Sequence, residues 1–434
     1  MSRFYIFSLL RYGLIPFGLV LSVLNSSGED NWPRWRGPYD TGMAATAVRT
    51  HWSDTENVKW KVDLPGKGLS SPVIWHDKIF LTNAVPVRSD NTSRRNNNFI
   101  PIHHFEVWCI SRDTGETLWS RVAKTVRPHE NHHHRYGSFA SNSPVTDGKF
   151  VYAYFGSRGV FAYDFDGNLI WQKDLGVEMR KIWQFGEGTA PVLHGNTLLL
   201  KLDHQGDSLI VALDKNTGKE IWRRHRDEIT SWSAPLVIEY KGRTQAIVSA
   251  TAKTRSYDLT TGEVIWEASG LGRNVIPNPV RQDDIVLVMS GYRSPNLQAI
   301  RLGGSGDITN SNNILWTNQR ANSYTASPVL FKNHLFFVTD NGFASCFNAT
   351  DGTSYYHQQR LPGSPTLKAS PVGADDKLYI ATENGTVIVL EIGEKFKPIT
   401  VNQMGDHVFI ASPAIADGQI FLRSETALFA IDAQ

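Results

Sequence analysis

After its first thirty residues the chain is written in short apolar runs broken by polar turns. "KIFLTNAV" (Lys78 to Val85) and "KLYIAT" (Lys377 to Thr382) alternate or run apolar as strands do, and Asp, Gly and Asn punctuate the gaps between such runs. "TG" or "DG" pairs supply tight turns, where glycine tolerates positive φ. No ten-residue helical pattern interrupts the series. The pattern predicts an all-β protein.

The runs repeat. "CISRDTGETLW" (Cys109 to Trp119), "AYDFDGNLIW" (Ala162 to Trp171), "ALDKNTGKEIW" (Ala212 to Trp222) and "SYDLTTGEVIW" (Ser256 to Trp266) are copies of one phrase. "CFNATDGTSYY" (Cys346 to Tyr356) and the closing "AID" are weaker ones. Before each copy stands a proline that opens an apolar strand: Pro72, Pro144, Pro191, Pro235, Pro279, Pro328, Pro371 and Pro413, spaced by 72, 47, 44, 44, 49, 43 and 42 residues. Four strands in a period of about 45 residues make a propeller blade, and eight periods predict an eight-bladed β-propeller of four-stranded antiparallel blades. The last unit lacks a fourth strand, whereas "VKWKVDL" (Val58 to Leu64) precedes the first proline with Trp60 in the repeat position. The N-terminal strand is therefore expected to complete blade eight and abolish the open sheet edge. Cys109 and Cys346 occupy the small-residue slot that Ala212 fills beside Trp222, in separate blades, which predicts two buried free thiols.

A small residue, an acidic residue, "TG" and a tryptophan together resemble the tryptophan-docking motif of pyrroloquinoline-quinone (PQQ) enzyme propellers, a fold shared with the outer-membrane assembly scaffold BamB. The resemblance covers nearly all of the chain beyond the leader. It implies that Trp119, Trp171, Trp222, Trp266 and Trp316 are staples between blades, with Trp60 in the same position. "NWPRWRGPYDTG" (Asn31 to Gly42) and "LPGKGLSSPV" (Leu64 to Val73) are similar to a finer subgroup, exported PQQ-like proteins of planctomycete-type bacteria with no assigned activity. The quinoprotein dehydrogenases hold PQQ with calcium in the central channel, often under a disulfide of adjacent cysteines. Here no two cysteines adjoin and no "CxxCH" occurs. PQQ with calcium is thus a cofactor that the resemblance raises without a matching motif, and no catalytic residue is carried over.

The N-terminus reads as an export signal over residues 1–28: Arg3 and Arg11, the apolar "LIPFGLVLSVL", then "NSSG". An uncleaved anchor is the alternative, but the apolar run is short for a span of about 20 residues. Residues 29–434 are read as one propeller domain, exported to the periplasm or cell envelope, monomeric and without a membrane span. With 44 Lys+Arg against 42 Asp+Glu, the chain lacks the basic excess of a nucleic-acid binder.

In such blades the second-to-third-strand loops share a face with the blade-to-blade connections, and binding residues favour loops on a rigid scaffold. That face should carry the insertion from Val87 to His104 and the stretch "HENHHHRYG". It gathers His103, His104, His129, His132, His133, His134, Asp203, His204, Arg273, Arg293, Asp340 and Glu383 as binding candidates. The same geometry places there Trp183, Arg226, Asp227, Trp232, Asn274, Arg320, Tyr324, Asn341, Asn384, Arg423 and Glu425. The histidine stretch has three readings: a metal site using His132 or His134, a polar rim that contacts a partner, or a solvated loop. Its spacing matches no zinc motif. The expected function is a binding module for a protein or polysaccharide partner. The alternative is a PQQ- or metal-dependent oxidoreductase with its site at the channel mouth.

Overall fold

The computed structural model describes Met1 and residues 31–87, 100–320 and 322–432. The segment expected to be an export signal falls, beyond Met1, outside the described residues, as does much of the blade-one insertion. Within them the chain forms eight antiparallel sheets arranged as propeller blades. Blade one is Val73–Trp75, Lys78–Pro86, His103–Ser111 and Thr117–Val126 from the axis outward, and each later repeat builds its blade in the same order. Two blades carry a short fifth strand. Met43–Ala44 runs parallel to Val372–Ala374 in blade seven, and Gly306–Asp307 runs parallel to Val264–Ala268 in blade four. The helical content among the described residues is two short 3-10 turns, Gly156–Arg158 and Ile182–Gln184.

Closure follows the predicted route. Val58–Asp63 pairs antiparallel with Ala427–Ile431 as the outer strand of blade eight, in register Trp60 to Ala430. The two ends of the chain thus share one sheet, and blade eight has no unpaired outer slot.

The repeat tryptophans lock neighbouring blades. Each lies opposite its small residue across the strand pair, as Trp222 does Ala212 and Trp119 does Cys109. The indole N–H then donates to a carbonyl in the next blade's turn: Trp60 to Arg112, Trp119 to Phe165, Trp171 to Lys215 and Trp222 to Leu259, all at 2.8 Å, and Trp316 to Thr350 at 3.0 Å. The ring stacks on that turn's glycine. Gly262 has φ +73, and an added Cβ would stand 2.6 Å from the Trp222 ring, so position and conformation both demand glycine. Trp266 departs from the pattern. Blade five diverts its chain through Gly306–Asp307, and the fully buried Trp266 indole N–H finds no acceptor. Both cysteines are buried and free, in the slots expected of them.

Candidate functional site

The inner strands all begin alike, and the repeat of "x-Pro" builds the axis of the molecule. The residue before each proline faces its neighbour around the channel. Ser71 N–H donates to Ser143 Oγ at 2.9 Å, Ala234 to Asn278 Oδ1 at 2.8 Å, and Asn278 to Ser327 Oγ at 2.9 Å. Ser327 N–H donates to Ser370 Oγ at 2.8 Å, Ser370 to Ser412 Oγ at 3.0 Å, and Ser412 to Ser71 Oγ at 2.9 Å. These bonds satisfy buried backbone donors that have no ladder partner. The girdle is broken where blades three and four place alanine, Ala190 and Ala234, which offer no side-chain acceptor.

That gap is filled by the N-terminal segment. Trp32 bridges to Ile74 of blade one, and Thr146 N–H of blade two donates to Pro33 O at 3.0 Å. Arg36, fully buried, donates to Pro328 O at 2.7 Å and Pro371 O at 3.1 Å, in blades six and seven. Burial lowers its pKa to about 10, so it stays charged. Between these anchors Trp35 enters the channel, packs on Ala190 and Ala234, and donates Nε1–H to Ser412 Oγ at 3.0 Å. The strap thus puts an indole floor across the axis, and the channel is blind.

Above the floor the cavity, about 140 Å³ at the girdle, widens to about 380 Å³ at the loop face. The residues three before each proline line it: Leu69, Ser141, Gly188, Trp232, Ile276, Thr325, Lys368 and Ile410. Trp183, Phe185, Tyr136, Tyr292 and Tyr324 complete the wall. Tyr292 stacks on Tyr324 with centroids 5.2 Å apart, and Trp232 is pinned by its N–H to Gly186 O at 2.8 Å. The charged groups of this cup are held by neighbours. Lys368 Nζ lies 2.6 Å from Asp340 Oδ2 and 4.4 Å from the centre of the Tyr136 ring, while Asp340 also accepts from Thr325 N–H and Oγ1–H. Glu187 accepts from Ser157 N–H and Oγ–H, both at 2.6 Å. Burial pushes the Tyr324 phenol up to about 12, so it remains a hydroxyl.

The histidine stretch folds over one side of this cup, and its members separate. His133 lines the wall, stacked between His134 and Tyr136, and its Nδ1 accepts from the Arg135 and Tyr136 backbone N–H groups. Burial, then the charges of His134 and Lys368, lowers its pKa, which favours the neutral ring. His132 and His103 sit edge-on to Phe139 at 4.6 and 4.8 Å. His129 is tied to Met179 O at 2.7 Å and to the Arg158 guanidinium at 2.8 Å, and His104 to Thr125 Oγ1 at 2.8 Å. Next along the loop, Arg135 reaches blade seven, where it pairs with the buried Glu383 carboxylate at 2.9 Å. Among the described residues no three or more His, Cys, Asp or Glu side chains are grouped to hold a metal ion.

Asp203 and His204 lie on the same face but outside the cup. Asp203 is wholly buried, accepting from Arg226 Nε at 2.7 Å and Ser231 Oγ at 2.7 Å, with Lys201 at 3.5 Å. The Arg226 and Lys201 charges hold its carboxyl well below the usual range. His204 Nδ1 accepts from the Arg180 and Gly206 backbone and organises its own turn. Arg273 and Arg293 are exposed, Arg293 over the Tyr292 ring at 5.2 Å. Of the twelve candidates, His133 enters the wall, Asp340 and Arg293 support residues that do, and Glu383 holds Arg135, which lies over the ring of the lining Tyr136. Sequence reasoning passed over Phe185, Tyr292, Lys368 and Trp35.

Eight tryptophan-docked blades closed by the N-terminal strand, with a cup on their axis, define a PQQ-like β-propeller. The chain belongs to the family described as outer membrane protein assembly factor BamB, whose model matches residues 103–358. It is 31% identical over 123 residues to the lanthanide-dependent methanol dehydrogenase of Methylacidiphilum fumariolicum (strain SolV), covering 27% of this chain and 18% of that one. It is 30% identical over 98 residues to BamB of Francisella salina, covering 23% and 17%. The matches thus span less than a fifth of either curated relative. The solved quinohemoprotein alcohol dehydrogenase from Comamonas testosteroni superposes with a TM-score of 0.66 at 9% identity, covering 95% of this chain and 82% of that one. At that identity the likeness is one of fold.

Proposed function

We propose that the chain is an exported recognition module that binds a protein or glycan partner in the cup of its loop-rich face. One observation carries this reading: a blind, aromatic-walled cavity whose one lysine is ion-paired with Asp340 and whose Glu187 carboxylate is hydrogen-bonded by Ser157. Such a cavity has the form of a binding site, concave and largely apolar with a few placed polar groups. His133, Arg293, Asp340 and Glu383 contribute by shaping its rim.

The quinone of the dehydrogenase relatives does not fit this cup. PQQ carries three carboxylates, yet Lys368 is the one lysine or arginine among the described lining residues, and Asp340 engages it at 2.6 Å. Glu187 adds negative charge to the same wall. Calcium takes six to eight oxygen ligands, whereas Asp340 and Glu187 are engaged by Thr325, Lys368 and Ser157. Among the described residues no three or more acidic, His or Cys side chains are grouped to hold an ion, although Glu383, paired with Arg135 through Oε2, keeps a buried Oε1 without a partner. The fold alone does not choose a function, so the reading rests on this site.

Immobilised full chain, challenged with an envelope extract of the source cells, should retain a partner that a Trp183→Ala/Tyr324→Ala variant of unchanged melting temperature does not. Equal retention by both proteins would remove the cup from the account.

A further inference from the structure

The cup also has features that select a ligand class, and the inference from them rests on the recognition reading above. Its aromatic rings are half-exposed platforms, not packed core. Trp183 stands 59% exposed, unusual for so large an apolar side chain. Its backbone is held at φ +50, followed by Gln184 at φ +54, in the left-handed region that residues other than glycine avoid. Arg293, which covers Tyr292, is at φ +57. Strain of about 1–3 kcal/mol per residue persists where the surroundings over-determine the conformation, and it clusters at ligand clamps.

Beside the rings stand polar groups: Lys368, held by Asp340 and set over the Tyr136 ring, and the Thr325 and Ser141 hydroxyls. An anionic ligand would have to break the Lys368–Asp340 ion pair to find a partner here, with the Glu187 carboxylate on the same wall opposing it. A neutral polyol would not, because its hydroxyls can accept from Lys368 while Asp340 keeps its own bond, and can pair with the Thr325 and Ser141 hydroxyls. A flat ring with C–H groups on its faces and hydroxyls at its edge matches this division of the wall. The volume, about 380 Å³, lies at the small end of ligand sites. Trp35 closes the far end, so nothing threads through.

We infer that the cup takes the end of a neutral saccharide chain, entering along the propeller axis with its terminal ring against the aromatic wall and its hydroxyls on Lys368, Thr325 and Ser141.

The test is isothermal titration of the full chain with maltohexaose, cellohexaose, xylohexaose and mannohexaose. At least one should bind. Trp183→Ala, an exposed site whose change spares the core, should weaken that binding about tenfold, and Tyr324→Ala should do the same. With longer chains of the same linkage, stoichiometry should stay at one protein per chain. No binding by any of the four overturns the inference, as does binding that both variants leave intact. Several proteins per long chain would overturn end-on entry. If no saccharide binds while Trp183→Ala still loses an envelope partner, the saccharide inference fails and the recognition reading stands.

Discussion

At the scale of single residues, the tryptophan staples are not equivalent. Trp222 gives its N–H to Leu259 O, whereas the Trp266 N–H is buried without an acceptor. A satisfied bond of this kind is worth about 1 kcal/mol, and a buried unmet donor costs as much or more. Trp222→Phe should therefore lower unfolding free energy by about 1–2 kcal/mol more than Trp266→Phe, as read from urea denaturation. Glu383 makes a second prediction. Burial raises its carboxyl pKa, which the Lys368 and Arg135 charges only partly offset. The folded state then holds that proton more tightly than the unfolded chain. Its contribution to stability is full below the ordinary glutamate value and declines as pH rises through the raised folded pKa. Glu383→Gln should flatten the stability profile above about pH 4.5; a parallel profile would show that Arg135 neutralises the site fully.

At the scale of elements, the girdle and the strap act together. Ser412 Oγ accepts from both Ser370 N–H and Trp35 Nε1–H, while Ser143 Oγ accepts from Ser71 N–H. Ser412→Ala leaves two donors unmet and should cost roughly 2–4 kcal/mol, against about 1–2 for Ser143→Ala. Equal losses in thermal unfolding would mean that Trp35 is held by packing on Ala190 and Ala234 alone. The legibility of these elements in the sequence divides along the same line. Blade number, the closing strand at Trp60 and the thiol slots were readable, because a repeat fixes register and every copy corroborates the others. The strap has no second copy, so nothing in "NWPRWRG" announced that Trp35 would floor the channel. The cup wall was hidden for a different reason. Its residues occupy one fixed place, three before each proline, but Leu69, Ser141, Gly188, Trp232, Ile276, Thr325, Lys368 and Ile410 share no chemistry. A search for similarity between repeats discards such positions; their offset from the proline would have collected them. The histidines drew attention by composition, yet His129, His132 and His103 serve loop packing, and His133 with its neighbour Tyr136 reaches the cavity.

At the scale of the whole molecule, closure of the ring by Val58–Asp63 leaves the loop face free to vary without loss of the frame. A blind axial cup with an aromatic wall suits recognition, and the propeller supplies rigidity to it. The frame is shared with the solved quinohemoprotein alcohol dehydrogenase, and a shared fold does not choose a function. The direct measurement is a tryptophan-fluorescence titration of the full chain with PQQ, with and without Ca²⁺, since Trp35, Trp183 and Trp232 all line the cup. Recognition without the quinone predicts no saturable quenching at micromolar PQQ in either condition. Saturable, Ca²⁺-dependent quenching would contradict it and make the cup a cofactor site.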